Sequence, residues 1–268
     1  MEAGHVSPQR SLDAAGPARQ HTARAFGLAG ADLDIRLDDA DRPAVVTRVL
    51  AVCLDGFPDR EDAESVVWEW TLAERLQGLI AIAIAGGTTT PPWHTRCDRC
   101  AVAIEIDIPP PAFVEPPHRG GVACRSPDGH AISARLPRGN DARAWRANTA
   151  DARAMATNLV DGVDGEAPAP GWLMPPAWLD PLAEALAEYD PLTVLRLHAG
   201  CPNCGHLNVI DFDLEGWLLG LFADRQRHLI DDVHRIARFY HWSEAAICAL
   251  PQWRSRAYLA RIEREAEA

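Results

Sequence analysis

The chain has 268 residues, a formal net charge of −12 and 47% hydrophobic residues. This length suits one large domain or two small ones, and the composition is ordinary for a globular protein with a buried core. The acidic balance argues against sequence-independent binding of nucleic acid, which depends on lysine and arginine neutralising phosphates.

Membrane and secretory signals are not recognisable in the sequence. The most apolar run, residues 79–85, is far shorter than the roughly 18 apolar residues of a membrane span. The N-terminal residues MEAGHVSPQRSLD lack a basic stretch followed by an apolar region. We therefore expect a cytoplasmic protein without a membrane partner. A disulfide framework is then not expected, and the isolated Cys53, Cys124 and Cys248 are predicted to be small buried hydrophobes.

The N-terminal part divides at about residue 43. Residues 1–42 lack a hydrophobic period, so we expect a disordered or loosely attached segment outside the fold. The apolar stretch 44–54 is compatible with a strand or a short helix. Thr71 and Glu74 form a capping box, and the apolar residues after them recur at helical spacing. Residues 43–110 are thus predicted to contain an N-terminal helix and a first cysteine turn.

That first turn, Cys97 to Cys100, is followed by the alternating segment AVAIEIDI, which predicts a strand with one buried face. Residues 111–190 are predicted to be an insertion made of short strands and helices. Its predicted elements are a strand at 130–137, a helix from Asn140 or Asp141 to about Val160, a Pro- and Gly-rich linker at 161–176 and a short helix at 179–189.

The second cysteine turn, CPNCGH, lies between two apolar strands and predicts a hairpin over residues 191–213. Residues 214–268 are predicted to be helical: Asp213 can cap a long amphipathic helix, Ser243 a short one, and Pro251 can open the last. The predicted fold class is α+β, with zinc-ribbon hairpins, a large insertion and a helical C-terminal region.

The two cysteine pairs predict one structural zinc ion, held by Cys97, Cys100, Cys201 and Cys204. Each CxxC turn brings two sulfurs near one point, and two turns complete a tetrahedral shell. About 100 residues separate the pairs, against roughly 15–20 in a simple four-cysteine site. The alternative is that the pairs are unrelated, one of them being a redox dithiol. Four thiolates leave no coordination position for water, so the metal is expected to be structural.

Recognisable catalytic motifs are missing from the sequence. It contains no GxSxG, HExxH, GxxxxGK[ST] or GxGxxG pattern. We therefore expect a protein that is not an enzyme.

The segment 231–263 carries a distinctive pattern: a helix ending in Tyr-x-Trp-Ser-Glu, then Leu-Pro, then a helix with Arg and Tyr. The residues at these positions are Tyr240, Trp242, Ser243, Glu244, Leu250, Pro251, Arg256 and Tyr258. This pattern resembles the C-terminal signature of a family of phage baseplate proteins. The second cysteine turn with the helix after it, the Glu74–Arg75 pair and residues 135–145 resemble further blocks of that family, so the resemblance covers much of the chain from about Val67.

This family comprises hub or hub-assembly chaperone components of T-even-type baseplates, from contractile tails and phage-tail-like contractile injection systems. The resemblance implies a structural or assembly role without chemistry and baseplate hub or spike proteins as partners. Two outcomes stay open: incorporation into a tail-like particle, or release after assembly. Candidate partner-binding residues are Trp217, Trp242, Trp253 and Tyr258, since Trp and Tyr concentrate at binding hot spots. The alternative is that these aromatic residues fill the helical core.

Two other functions stay open. The C-terminal helices around residues 241–243 can be drawn as a helix-turn-helix beside a zinc ribbon, which would make the chain a nucleic-acid-binding regulator. The net charge of −12 and the aromatic Trp253 and Tyr258 in the supposed recognition helix argue against it. A redox role for either CxxC pair is the third possibility. Thioredoxin-like sites place CxxC at the start of a helix after a strand, whereas predicted strands follow both pairs here.

Overall fold

The computed structural model describes residues 21–87, 90–113, 120–148 and 151–266. The fold is α+β, as predicted. The helices are α1 (Arg42–Cys53), α2 (Arg60–Glu69), α3 (Leu72–Ala85), α4 (Gly139–Asn148), α5 (Ala152–Thr157), α6 (Leu179–Tyr189), α7 (Leu214–Tyr240), α8 (Glu244–Cys248) and α9 (Gln252–Ala266). The strands are β1 (Trp93–Arg96), β2 (Ala103–Ile106), β3 (Gly121–Arg125), β4 (Ala131–Arg135), β5 (Val160–Val163), β6 (Arg196–Gly200) and β7 (Leu207–Asp211).

Side-chain caps begin the three helices that build the main core. Thr71 accepts a hydrogen bond from the backbone N–H of Glu74 at 3.2 Å, and the Glu74 carboxylate accepts one from the Thr71 N–H at 2.9 Å, so the predicted capping box is present at α3. Asp41 caps α1, which resolves the stretch 44–54 as helix. Asp213 caps α7 by accepting from the Gly216 N–H at 2.9 Å, as predicted. These caps satisfy amides that a helix start leaves free.

The main core lies between α1, α3 and α7 and includes the segment before α1. Phe26 and Ile35 are fully buried in this core, and the rings of Phe26 and Phe222 lie 5.5 Å apart. The expectation that residues 1–42 stay outside the fold is therefore wrong for residues 21–42, while residues 1–20 lie outside the described residues. The physical reason is that two large apolar anchors bury enough surface to hold a segment without any hydrophobic period.

The insertion builds a second hydrophobic core around the antiparallel sheet β3–β4–β5. Two expectations are corrected here. The single helix expected up to about Val160 is α4 followed by α5, whose N-terminus is capped separately by Asp151, and Val160 begins β5. The expected linker 161–176 contributes the fully buried Met174 to this core. The glycine and proline residues of this segment form turns between Val163 and Met174, which both pack in the second core.

Residues 214–266 carry the predicted helices, α7 to α9, and these fold back on one another. α7 ends at His241, which adopts a left-handed conformation with φ of 56°. α8 and α9 then pack against the second half of α7 around a small core of Val233, Ile236, Ile247 and Leu259. None of the helices in the described ranges is long and apolar enough to cross a membrane.

Candidate metal centre

Two hairpins of the same construction carry the four cysteines. β1 pairs antiparallel with β2, and β6 pairs antiparallel with β7, so each CxxC occupies the turn of a hairpin. In both turns the first cysteine bonds across the loop: Cys97 N–H to the Val102 carbonyl at 2.9 Å and Cys201 N–H to the His206 carbonyl at 2.8 Å. The position after the second cysteine is left-handed in both, with φ of 59° at Ala101 and 69° at Gly205. The same turn is therefore built twice.

The structure brings all four predicted cysteines together. Their sulfurs lie within 4.8 Å of one another. The Sγ atoms of Cys97 and Cys204 are 3.8 Å apart, and those of Cys100 and Cys201 are 3.6 Å apart, so both close contacts join one turn to the other. The alternative of two unrelated pairs is therefore not what the geometry shows.

These distances fit a tetrahedral metal ion. Zinc–sulfur bonds of about 2.3 Å in a tetrahedron place the sulfurs about 3.8 Å apart. The two contacts of 3.6 and 3.8 Å match that spacing. Four sulfur donors in a tetrahedron are typical of zinc or iron–sulfur ligation. The cluster is therefore a possible metal site, and zinc is compatible with it.

Thiol pKa values in the cluster diverge because the four sulfurs share hydrogen bonds. The Val102 N–H, the Asn203 side chain and neighbouring thiols stabilise the Cys100 thiolate and lower its pKa to about 6. At Cys204 the His206 N–H favours the thiolate, but burial and contacts with the other three sulfurs raise the pKa to about 12. A divalent cation would remove this conflict, because its charge favours the thiolate at every ligand.

A buried asparagine joins the two turns directly. The Asn208 side chain is 1% exposed. Its Oδ1 accepts from the Asp98 N–H at 3.0 Å, while its Nδ2 donates to the carbonyls of Ala199 at 3.0 Å and His206 at 3.2 Å. The sequence analysis missed this residue. The available signal was period-two phasing, which places Asn208 on the same strand face as Ile210 and Phe212.

A small apolar layer supports the sulfurs. Cys97 and Cys201 are buried with Ile104 and Ala199, and Ile210 packs against them. The face opposite this layer is exposed and includes Leu207 and Val209. The two cysteine turns thus rest on a core of their own, which limits how far either hairpin can move alone.

The four aromatic candidates for partner binding occupy different environments. Trp217 is partly buried against Phe113 and Phe212, at ring distances of 6.4 and 5.9 Å. Trp242 and Tyr258 meet edge to face at 5.0 Å; both are half-buried, and Trp242 packs against the C-terminal helical core. Trp253 is 71% exposed. Of the four, Trp253 is the side chain with the largest surface available to a partner.

Comparison of the chain with protein-family models, curated proteins and solved structures finds no match.

Proposed function

We propose that this chain is a non-enzymatic structural or assembly component of the baseplate of a contractile phage-tail-like injection system, held together by one structural zinc ion. The observation that carries the structural-metal half of the proposal is the closed sulfur cluster made by two hairpins whose cysteines lie 101 and 107 residues apart. The baseplate half rests on the resemblance of residues 231–263. Four thiolate ligands leave zinc no position for water or substrate, so the ion serves the architecture.

The C-terminal helices support the assignment to a baseplate. Tyr240, Trp242 and Tyr258, which carry the resemblance to the baseplate family, contact one another at ring distances of 5.0 to 5.2 Å. Because these three rings pack on one another, a protein with the same arrangement of helices would need the same aromatic pattern. Trp253 remains exposed on α9, where it can contact a hub or spike protein.

The alternative nucleic-acid function finds less support. α8 has only five residues, and two arginines of the tail are neutralised by glutamates: Arg235 pairs with Glu263 at 2.7 Å and Arg261 with Glu265 at 3.1 Å. A redox function is disfavoured because both CxxC pairs occupy hairpin turns and not the start of a helix.

The metal half of the proposal is tested by elemental analysis of the purified protein. We expect one zinc per chain, removed by a chelator together with much of the stability, because metal binding and folding are coupled. Cys204→Ser should lose the zinc, whereas Cys124→Ser in the insertion sheet should retain it. A metal-free protein of undiminished stability would refute this half.

The partner half is tested by co-expression with the neighbouring tail genes and capture of the full-length chain. We expect a hub or spike protein to co-purify, and Trp253→Ala to reduce capture at least about tenfold without lowering the melting temperature. Leu173→Ala is the matched control, because Leu173 is 58% exposed but belongs to the insertion. No tail protein in the eluate, or tight salt-sensitive retention of DNA in a gel shift, would count against the baseplate role.

A further inference from the structure

A cavity of about 510 Å³ lies between α7, the C-terminal end of α3 and the first turn of α9. Its size falls within the range of small-molecule sites. One wall is apolar and includes the exposed Leu28 and the half-buried Leu250, and the other carries the charged and polar groups of Arg225, His228, Asp232 and Arg256. The cavity lies outside the sulfur cluster and shares no residue with it.

Arg225 reaches this cavity through space left by two glycines. A Cβ at Gly27 would lie 2.7 Å from the Arg225 Cβ, and a Cβ at Gly86 would collide with the guanidinium. The Nη2 atom of Arg225 donates to the Ala83 carbonyl at 3.1 Å, so this side chain also holds the end of α3. Within the described ranges, its Nη1 is buried and has no hydrogen-bond partner.

Arg225 forms no ion pair with any residue of the described ranges. Among the residues that the structure describes, no carboxylate lies within ion-pair distance of this guanidinium. Burial alone lowers the pKa of Arg225. A partly buried cation without a counter-charge is costly, and an anion bound from solution would supply that counter-charge.

A second cation faces the same space. Arg256 lies on α9 with an exposed side chain and no ion pair in the described part of the chain, unlike Arg261 on the same helix. His228 lies one turn of α7 from Arg225. The carboxylate in this wall is Asp232, whose pKa is raised by burial. The cavity thus carries an excess of positive charge in a chain of net charge −12.

We propose that this cavity binds an organic anion: a carboxylate or phosphate ester that carries an apolar body. The anionic group faces Arg225 and Arg256, where charge-assisted hydrogen bonds to guanidinium groups are strong. The apolar body packs against Leu28 and Leu250. This inference does not depend on the zinc site or on the baseplate role.

The test uses isothermal titration of the full-length protein with hexanoate, hexyl phosphate and hexylammonium, which share the apolar chain and differ in charge. We expect saturable binding of at least one anion and none of the cation. Arg256→Gln should weaken the anion at least about tenfold. Arg254→Gln, on the same helix but outside the cavity wall, should bind as the wild type does.

Arg225→Gln should also lose the anion, but it removes the bond to Ala83 and can weaken α3. The exposed Arg256 variant, checked by its melting temperature, therefore decides the result. The anion that binds identifies the head group. Binding of neither anion, equal binding of hexylammonium, or equal affinity of the Arg256→Gln and Arg254→Gln variants would overturn the proposal.

Discussion

The side chain of Asn208 accepts a hydrogen bond from the backbone N–H of Asp98 at 3.0 Å, across 110 residues of sequence. Asp98 lies within the first cysteine turn and Asn208 on the strand that follows the second. This bond holds the two turns in register even before a metal ion is considered. The amide also satisfies the carbonyls of Ala199 and His206, so one buried side chain serves three backbone groups.

Asn208→Ala should therefore destabilise the protein by about 2–4 kcal/mol, because it removes the three hydrogen bonds that this buried side chain makes to Asp98, Ala199 and His206. Urea unfolding of the metal-loaded protein measures the loss. Asn203→Ala is the control: Asn203 is exposed and makes a 3.7 Å contact with the Cys100 sulfur. The control should lose less than about 1 kcal/mol. Equal losses would contradict the bridging role.

The two turns also predict a stabilising substitution. Ala101 takes the left-handed conformation, φ 59°, that Gly205 takes in the second turn. A residue with a Cβ is strained there by about 1–2 kcal/mol, part of which glycine gives back through its larger unfolded-state entropy. Ala101→Gly should thus raise the free energy of unfolding by about 0.5–1 kcal/mol, measured by urea denaturation.

The mirror variant is the control for that strain. A Cβ at Gly205 meets no other atom within 4 Å, so Gly205→Ala tests the backbone conformation without a steric clash. It should lower the free energy of unfolding by about 1 kcal/mol. If both variants shift stability in the same direction, backbone strain is not the cause.

The candidate site was predictable because the spacing of the cysteines in each CxxC turn indicates metal ligation. A CxxC turn limits where two sulfurs can go, and zinc requires four ligands, so two remote pairs imply one centre. The helix starts at Thr71 and Asp213 were predictable for a similar reason: a side-chain cap acts within three residues. Local rules of this kind do not depend on the rest of the chain.

Features that depend on tertiary packing were missed. α2 was not predicted because its buried residues are only Ala63 and Val67, which gives no hydrophobic period. β1 has four residues, too few for alternation to be recognised. On β7 the apolar Leu207 and Val209 are exposed, while the polar Asn208 between them is buried. On β7, the hydrogen bonds of Asn208 between the two hairpins determine which face of the strand is buried, more than hydrophobicity does.

In the insertion, an ion pair predicts a pH dependence. His130 Nδ1 lies 2.6 Å from Asp164 Oδ2, and this hydrogen bond raises the pKa of His130 and lowers that of Asp164. The raised histidine pKa stabilises the fold below about pH 6.5 and loses this effect as pH rises through the folded value. The lowered aspartate pKa contributes above about pH 4, so the pair is most effective between about pH 4 and 6.5.

An NMR titration of the His130 ring checks this. Its pKa should lie above the ordinary value of about 6.5, and Asp164→Asn should return it toward that value. Asp128→Asn is the control, since Asp128 lies 3.8 Å from Nε2 and contributes least to the shift. A larger effect of the Asp128 variant would contradict the assignment of the shift to Asp164.

The most destabilising change expected is at Arg75, which is 1% exposed. Its guanidinium donates to the carbonyls of Val67 and Pro43 and to the Thr47 hydroxyl, at 2.7 to 3.0 Å, and burial lowers its pKa to about 10, so it stays charged at neutral pH. Arg75→Ala leaves a cavity and removes three hydrogen bonds from a buried charged group, which should cost about 3–5 kcal/mol by urea unfolding. Arg143 offers the control, because it lies at the same 5.1 Å from the Trp68 ring but is exposed. Arg143→Ala should cost less than about 1 kcal/mol; similar losses would mean that stacking on Trp68, and not the buried hydrogen bonds, makes Arg75 important.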